Sequence, residues 1–359
     1  MSAAETGGAP KKKRSAGIPA RVLVCRLGAI GDVVNALVFA TALKRERPEV
    51  EIGWVVHPLV EPLVQGHPHV DRVHVWQRHA GFREFRRVVN EVRSVRYGLA
   101  VDLQRIQKSA LLARFSGAPR VLGYDRKRAK ELSWIWSSER IQPGDPRAHM
   151  VEHYLEFARY LGATDAGAEG GLHHFPANSE AEAWADDCVA SLGGAPLLIN
   201  LGATKPANRW EPERFGELAA KLAELNIPLA LTGGPGDREL ADRALAAAGD
   251  CGLRDLVGRT DLPQLIALLG RARLFLTCDT GPMHIAAARG TPVVALFGAA
   301  DPVRTGPYGK GHRVIGELPS CAPCEHRHCS QPRHVCMEDL TVDAVAGGVR
   351  SLVSERLVP

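Results

Sequence analysis

Near residue 280 the sequence reads Cys278-Asp279-Thr280-Gly281-Pro282-Met283-His284, directly behind the β-branched and apolar run 274–277. A strand that turns into a helix at Thr280-Gly281, with Pro282 in the first helical turn, leaves backbone N–H groups and the positive end of the helix dipole facing an anion such as a diphosphate. Asp279 would repel that anion, so its role is to orient the loop or accept from a sugar hydroxyl; His284 either faces the ligand or is satisfied by a neighbouring carbonyl. Two further glycine-bearing turns follow apolar runs. One spans Gly202 to Trp210 and carries Thr204, Lys205 and Arg209; the other spans Gly233 to Glu239. Singly these are ordinary strand-to-helix turns. Together they line one edge with donors, cations and an acid near Glu239, a combination suited to a nucleoside diphosphate and its ribose.

The first apolar run, 22–25, leads into Arg26-Leu27-Gly28-Ala29-Ile30-Gly31-Asp32. This turn lacks the Gly-x-Gly-x-x-Gly spacing of a dinucleotide site. Asp32 has two readings: a carboxylate presented to a cleft, or the cap of a helix that starts at Val33. Arg83, Arg86 and Arg87 share one helical face and would suit phosphates or carboxylates, although a solvated face explains most arginines of this region. A second basic run holds Arg126, Lys127, Arg128 and Lys130. No aromatic platform is interleaved with the bases, and nucleic acid is not expected as a partner. The cluster Cys321-x2-Cys324-x4-Cys329-x6-Cys336 permits a tetrahedral structural metal, most naturally Zn²⁺, with reduced thiols or disulfides as the alternatives.

Elements of a particular kind are needed to hold such turns. Short β-branched runs at 22–25, 52–56, 72–75, 99–102 and 121–123 alternate with helical stretches such as 33–47 and 82–95, and the pattern restarts at 197–200, 229–232, 255–257, 274–277 and 293–297. The order predicts two doubly wound α/β halves with parallel sheets, their ligand loops at the carboxyl ends of the strands. The expected units are a basic tail over 1–19, a first domain over 20–175, a second over 176–340, and a C-terminal helix over 341–359 that packs back on the first domain. The 359 residues, 45% hydrophobic, suffice for two cores, and a net charge of +5 is weak. No apolar run approaches the ~18 residues of a membrane span. The Lys11 to Arg14 arm is not followed by a signal-peptide core, since Arg21 and Arg26 interrupt it, which predicts a cytoplasmic chain.

With these pieces placed, residues 21–309 resemble glycosyltransferase family 9, the heptosyltransferases of lipopolysaccharide core assembly. The resemblance is carried by the 27–32 turn, Asp102-Leu103-Gln104 with Lys108-Ser109-Ala110, the segments 200–215 and 233–239, and above all Asp279 to His284 with Phe297-Gly298-Ala299-Ala300-Asp301-Pro302. It implies a GT-B fold of two Rossmann-like domains and an inverting transfer that uses no catalytic metal. Its donor, ADP-heptose, would be held by Thr204, Lys205, Arg209, Glu239, Asp279, Thr280, Gly281, Pro282 and His284. Asp32 would be the general base. The acceptor, a Kdo–lipid A glycolipid at the cytoplasmic face of the inner membrane, would be met by Gly31, Arg83, Arg86, Arg87 and Lys108, with membrane contact only at the surface. The chain departs from the family pattern at Asn208, where a Lys commonly precedes Arg-Trp, and at Arg105, where a Gly is usual. Features around Lys108 and residues 149–153 resemble the first heptosyltransferase, whereas the Cys cluster resembles the second. The alternatives are a transferase acting later in the core or on another nucleotide sugar, a GT-B sugar-nucleotide epimerase, and a non-catalytic nucleotide-sugar or metal-binding scaffold.

Overall fold

The computed structural model describes residues 17–164, 174–324 and 326–357. The arm at Lys11 to Arg14 lies outside them. In the first half, β1 (Arg21–Cys25), α1 (Ile30–Glu46), β2 (Glu51–Val56), β3 (Arg72–Val75), α2 (Gly81–Val95), β4 (Leu99–Asp102), α3 (Gln107–Phe115), β5 (Arg120–Gly123), β6 (Glu139–Arg140) and α4 (Met150–Tyr160) follow in order. The second half runs α5 (Ser179–Leu192), β7 (Leu197–Asn200), α6 (Pro212–Leu222), β8 (Leu229–Thr232), α7 (Arg238–Ala248), β9 (Arg254–Asp255), α8 (Leu262–Leu269) and β10 (Leu274–Cys278). It continues with α9 (Gly281–Ala288), β11 (Val293–Leu296), α10 (Pro302–Thr305), β12 (Arg313–Ile315), α11 (Val335–Glu338) and α12 (Val342–Leu357). The expected strands are present. β9 lies one residue earlier than its apolar run suggests, and β6 and β12 add edge strands that the sequence pattern did not show.

Both sheets are six-stranded and parallel, in the orders β3-β2-β1-β4-β5-β6 and β12-β11-β10-β7-β8-β9. Counted from its own first strand, each half therefore has the same doubly wound order. The switch points lie between β1 and β4 and between β7 and β10, and that is where ligand loops belong. Their central strands are buried along their whole length, which is why they read as apolar runs without alternation.

Packing proceeds in layers. One face of the first sheet holds α2 and α3 around Val88, Val92 and Leu112; the outer face of the second holds α6, α7 and α12 around Phe215, Leu218 and Val349. Between the sheets, α1 and α4 meet α5, α8 and α9 in one continuous apolar cluster that joins Phe39 and Tyr154 to Met283 and Ile285. The halves thus share their largest core. α12 does not pack back on the first domain as expected: Val345, Val349 and Leu352 are buried against α6 and the second sheet, and Lys221–Asp343 and Arg350–Glu224 pairs fasten its outer side. No helix among the described residues is long and apolar enough to cross a membrane.

Candidate active site

A cavity of about 740 Å³ opens between the carboxyl edges of the two sheets. Its first-half wall comes from the loop after β1 (Arg26 to Ile30 and Asp32), His57 and Leu59 after β2, Arg78 after β3, Gln104 and Arg105 after β4, and Lys130 after β5. The second-half wall comes from Asn200, Gly202 to Thr204 and Arg209 after β7, Gly234 and Asp237 after β8, and Thr280 to Pro282 after β10. The two switch points face each other across this space.

Asp32 does not cap α1. The helix begins at Ile30 with Ala29 in the cap position, so Asp32 stands in the first turn, where the helix dipole favours its charge. It pairs with Arg26, whose guanidinium is nearly sealed from solvent while the Asp32 carboxylate is 39% exposed to the cleft. The turn that carries this pair is braced from behind: Gln104 Oε1 accepts from Leu27 N at 2.6 Å, and Trp54 Nε1 donates to Arg26 O at 3.1 Å. Asp102, pushed up to about 6 by burial, accepts from Gln104 N at 3.0 Å and so fixes Gln104 in turn.

Opposite Asp32 the loop before α9 is held by hydroxyls. Asn200 Nδ2 donates to Thr277 Oγ1 at 3.2 Å, and Thr277 and Thr280 hydroxyls meet at 3.0 Å. Thr280, Gly281 and Pro282 reach the cleft, as do Thr204 and Arg209; Arg209 Nε donates to Ala203 O at 3.0 Å, fixing its guanidinium on the wall. Asp279 sits one step behind. Burial pushes its carboxyl up to about 6, Lys205 works against that shift, and Asn208 Nδ2 donates to it at 3.0 Å. Asn208 and Lys205 therefore serve Asp279, and Arg209 is the cation left on this wall.

Several expected placements are corrected. Glu239 is exposed in the first turn of α7 and does not line the cavity; Asp237 does, its carboxylate accepting from Gly234 N at 2.9 Å. Arg83, Arg86 and Arg87 are exposed on the outer face of α2, and Arg87 is taken by Glu84 and Glu91. Lys108 is exposed on α3, also off the cavity. The cations that do face the first-half wall are Arg78, Arg105 and Lys130, which come from the ends of three separate strands and share no linear spacing. Gly31 is turned away from the acceptor space and lies against His284.

His284 is buried between the halves, with Nδ1 at 3.3 Å from Asn35 Nδ2. Burial, aided by nearby His149 and opposed by Asp32, lowers it to about 4. The ring is expected to stay neutral where an exposed histidine titrates, near 6.5, and to take up a proton only near pH 4. Because the unfolded chain binds this proton first, the stability it confers is complete above about pH 6.5 and is lost as pH falls toward 4. Histidine NMR titration checks the first statement, and a flatter dependence of Tm on pH in His284→Asn checks the second.

The four clustered cysteines, with His326 and His334, line a small cavity of about 60 Å³. Cys336 is pushed up to about 11 by burial and by the neighbouring Cys329, Cys321 and Cys324 thiols. As placed, no three His, Cys, Asp or Glu side chains among the described residues converge to hold a metal ion.

Two doubly wound sheets facing each other across a cleft, with a carboxylate on one lip and a helix N-terminus on the other, have the architecture of a GT-B glycosyltransferase. The chain belongs to glycosyltransferase family 9, the heptosyltransferase family, whose profile matches residues 85–334. It is 30% identical over 322 residues to lipopolysaccharide heptosyltransferase 1 of Pseudomonas aeruginosa, covering 86% of this chain and 87% of that protein. To lipopolysaccharide heptosyltransferase 2 of Salmonella typhimurium it is 28% identical over 352 residues, covering 93% and 99%. The fold is that of a family 9 glycosyltransferase from Veillonella parvula, with a TM-score of 0.80 at 23% identity over 94% of this chain and 97% of the other.

Proposed function

We propose that this protein transfers heptose, with inversion, from ADP-heptose to the Kdo–lipid A inner core at the cytoplasmic face of the inner membrane. The observation that carries the reading is the meeting of two helix N-termini at the cleft floor: α1, bearing Asp32, and α9, bearing Thr280 and Gly281. The relatives named as lipopolysaccharide heptosyltransferases support the substrate class.

Asp32 removes the proton of the acceptor hydroxyl as its oxygen attacks the anomeric carbon. The new C–O bond forms on the face opposite the diphosphate, and the bond to ADP breaks. Charge that develops on the diphosphate falls between the α9 N-terminus and Arg209, where fixed donors stabilise it without reorganisation. Arg78, Arg105 and Lys130 receive the anionic groups of the acceptor.

Purified protein given ADP-heptose should release ADP only when Kdo–lipid A is added. Release without acceptor would favour the epimerase reading. Binding of ADP-heptose without transfer would point to the second family reading, an already heptosylated core, for which the similarity to heptosyltransferase 2 is the ground. Absence of both binding and release would favour a scaffold or another nucleotide sugar.

The Cys321, Cys324, Cys329 and Cys336 cavity is proposed to take a structural Zn²⁺. Four soft donors around one small space fit that ion in kind, and the thiols must turn inward to bind it. Elemental analysis of protein purified without chelator should give about one Zn²⁺ per chain, reduced in Cys329→Ser; a metal-free wild type would overturn this.

A further inference from the structure

The segment between β5 and β6 enters the chemistry above only through Lys130, yet all of it is built firmly. Arg128, 8% exposed, pairs with Asp125 and with Glu156 at 2.6 Å and donates to Gln142 O at 2.9 Å. Ser133 Oγ and Lys130 N both donate to Arg105 O at 2.9 Å, and Trp136 Nε1 donates to Gln107 Oε1 at 2.5 Å. What this scaffold displays is apolar. Leu132 is 63% and Ile135 50% exposed, shortly after Lys130, which lines the cleft. Glu131 and Leu132 both hold left-handed backbone, φ 52° and 57°, which is uncommon for residues other than glycine.

Exposed cations flank the two aliphatic residues along the chain. Arg126, Lys127 and Arg140 are exposed, and none has a carboxylate partner among the described residues. Arg126 and Arg140 lie over the Trp134 ring at 4.8 and 5.9 Å. Exposed aliphatic side chains, an indole between them in sequence and flanking arginine and lysine match in kind the layers of an anionic bilayer surface: acyl boundary, interface and headgroup phosphates.

We propose that residues 126–140 form a wedge that seats the protein on an anionic phospholipid surface, with the cleft mouth toward the lipid. The proposal rests on the reading above in one respect, that the acceptor is lipid-anchored. The wedge then delivers the cleft to a substrate confined to the membrane plane.

Sedimentation with phosphatidylcholine vesicles, with and without phosphatidylglycerol, tests the surface itself. Wild type should bind only the phosphatidylglycerol vesicles, weakening with salt. Leu132→Ser/Ile135→Ser and Arg126→Glu/Lys127→Glu should each weaken binding by at least about 10-fold. Transfer to vesicle-embedded acceptor should fall in parallel in Leu132→Ser/Ile135→Ser, while transfer to a deacylated, water-soluble acceptor stays at the wild-type rate and shows the fold intact. Wild-type binding that is absent, or unchanged by both double substitutions, would overturn the wedge. Vesicle binding that behaves as expected, without transfer to either acceptor, would keep the wedge and refute the assigned reaction.

Discussion

Asp32→Asn lowers heptose transfer by at least ~10²-fold, the usual scale for loss of a general base, while ADP-heptose still binds. The amide keeps the size and one acceptor oxygen of the carboxylate, so Arg26 retains a hydrogen-bond partner. It cannot take a proton from the acceptor hydroxyl. The risk in this substitution is the buried guanidinium, whose Nε already lacks a hydrogen-bond partner among the described residues; Asp102, close enough to act on it electrostatically, remains as counter-charge. A thermal melt beside the kinetics separates the two effects. Calorimetric titration of ADP-heptose into the variant shows whether the donor wall is intact. Turnover within a few-fold of wild type would remove Asp32 from the base role.

Gly31→Ala is expected to lower kcat/KM by up to about 100-fold through misplacement of the catalytic groups, beside a loss of about 1–3 kcal/mol of stability from overpacking a filled interior. A Cβ at this position would stand 2.2 Å from His284 Cδ2, and one at Gly281 would stand 2.7 Å from Ile30 Cβ. The N-termini of α1 and α9 therefore touch through glycines, and an added methyl group must push them apart. That displacement acts on the distance between Asp32 and the donor loop, where a misplacement of about 1 Å is enough to slow the chemistry by two orders of magnitude. Gly347→Ala on α12, where a Cβ meets nothing within 4 Å, is the control and should leave activity unchanged. If Gly31→Ala also turns over normally, the contact is not what sets the catalytic geometry.

The central strands were legible because buried parallel strands must be apolar on both faces, and 99–102, 197–200 and 229–232 coincide with the observed elements. β6 and β12 were not, because two- and three-residue edge strands carry too few residues to form a pattern. The same contrast holds in the site. Thr280 to Pro282, Thr204 and Arg209 sit in contiguous turns beside the strands that place them, and local sequence is sufficient to find them. Arg78, Arg105 and Lys130 come to one wall only after β3, β4 and β5 have taken their places in a single sheet. For Arg83, Arg86 and Arg87 the spacing correctly gave one helical face, but the buried residues of α2, Val88, Val89 and Val92, decide which face looks outward. Glu239 and Asp237 differ by two residues, and a 3₁₀ turn at Pro235–Asp237 settles which of them meets the cleft.

The apolar cluster that runs unbroken from Phe39 to Met283 makes the two halves a single cooperative unit. Neither can melt without exposing the inner helices of the other, so heating should give one transition rather than two. For the same reason a half expressed alone would present the faces of α1 and α4, or of α5, α8 and α9, to water, and would be sticky rather than autonomous. The repeated sheet order records two similar building blocks; their stability now belongs to the pair.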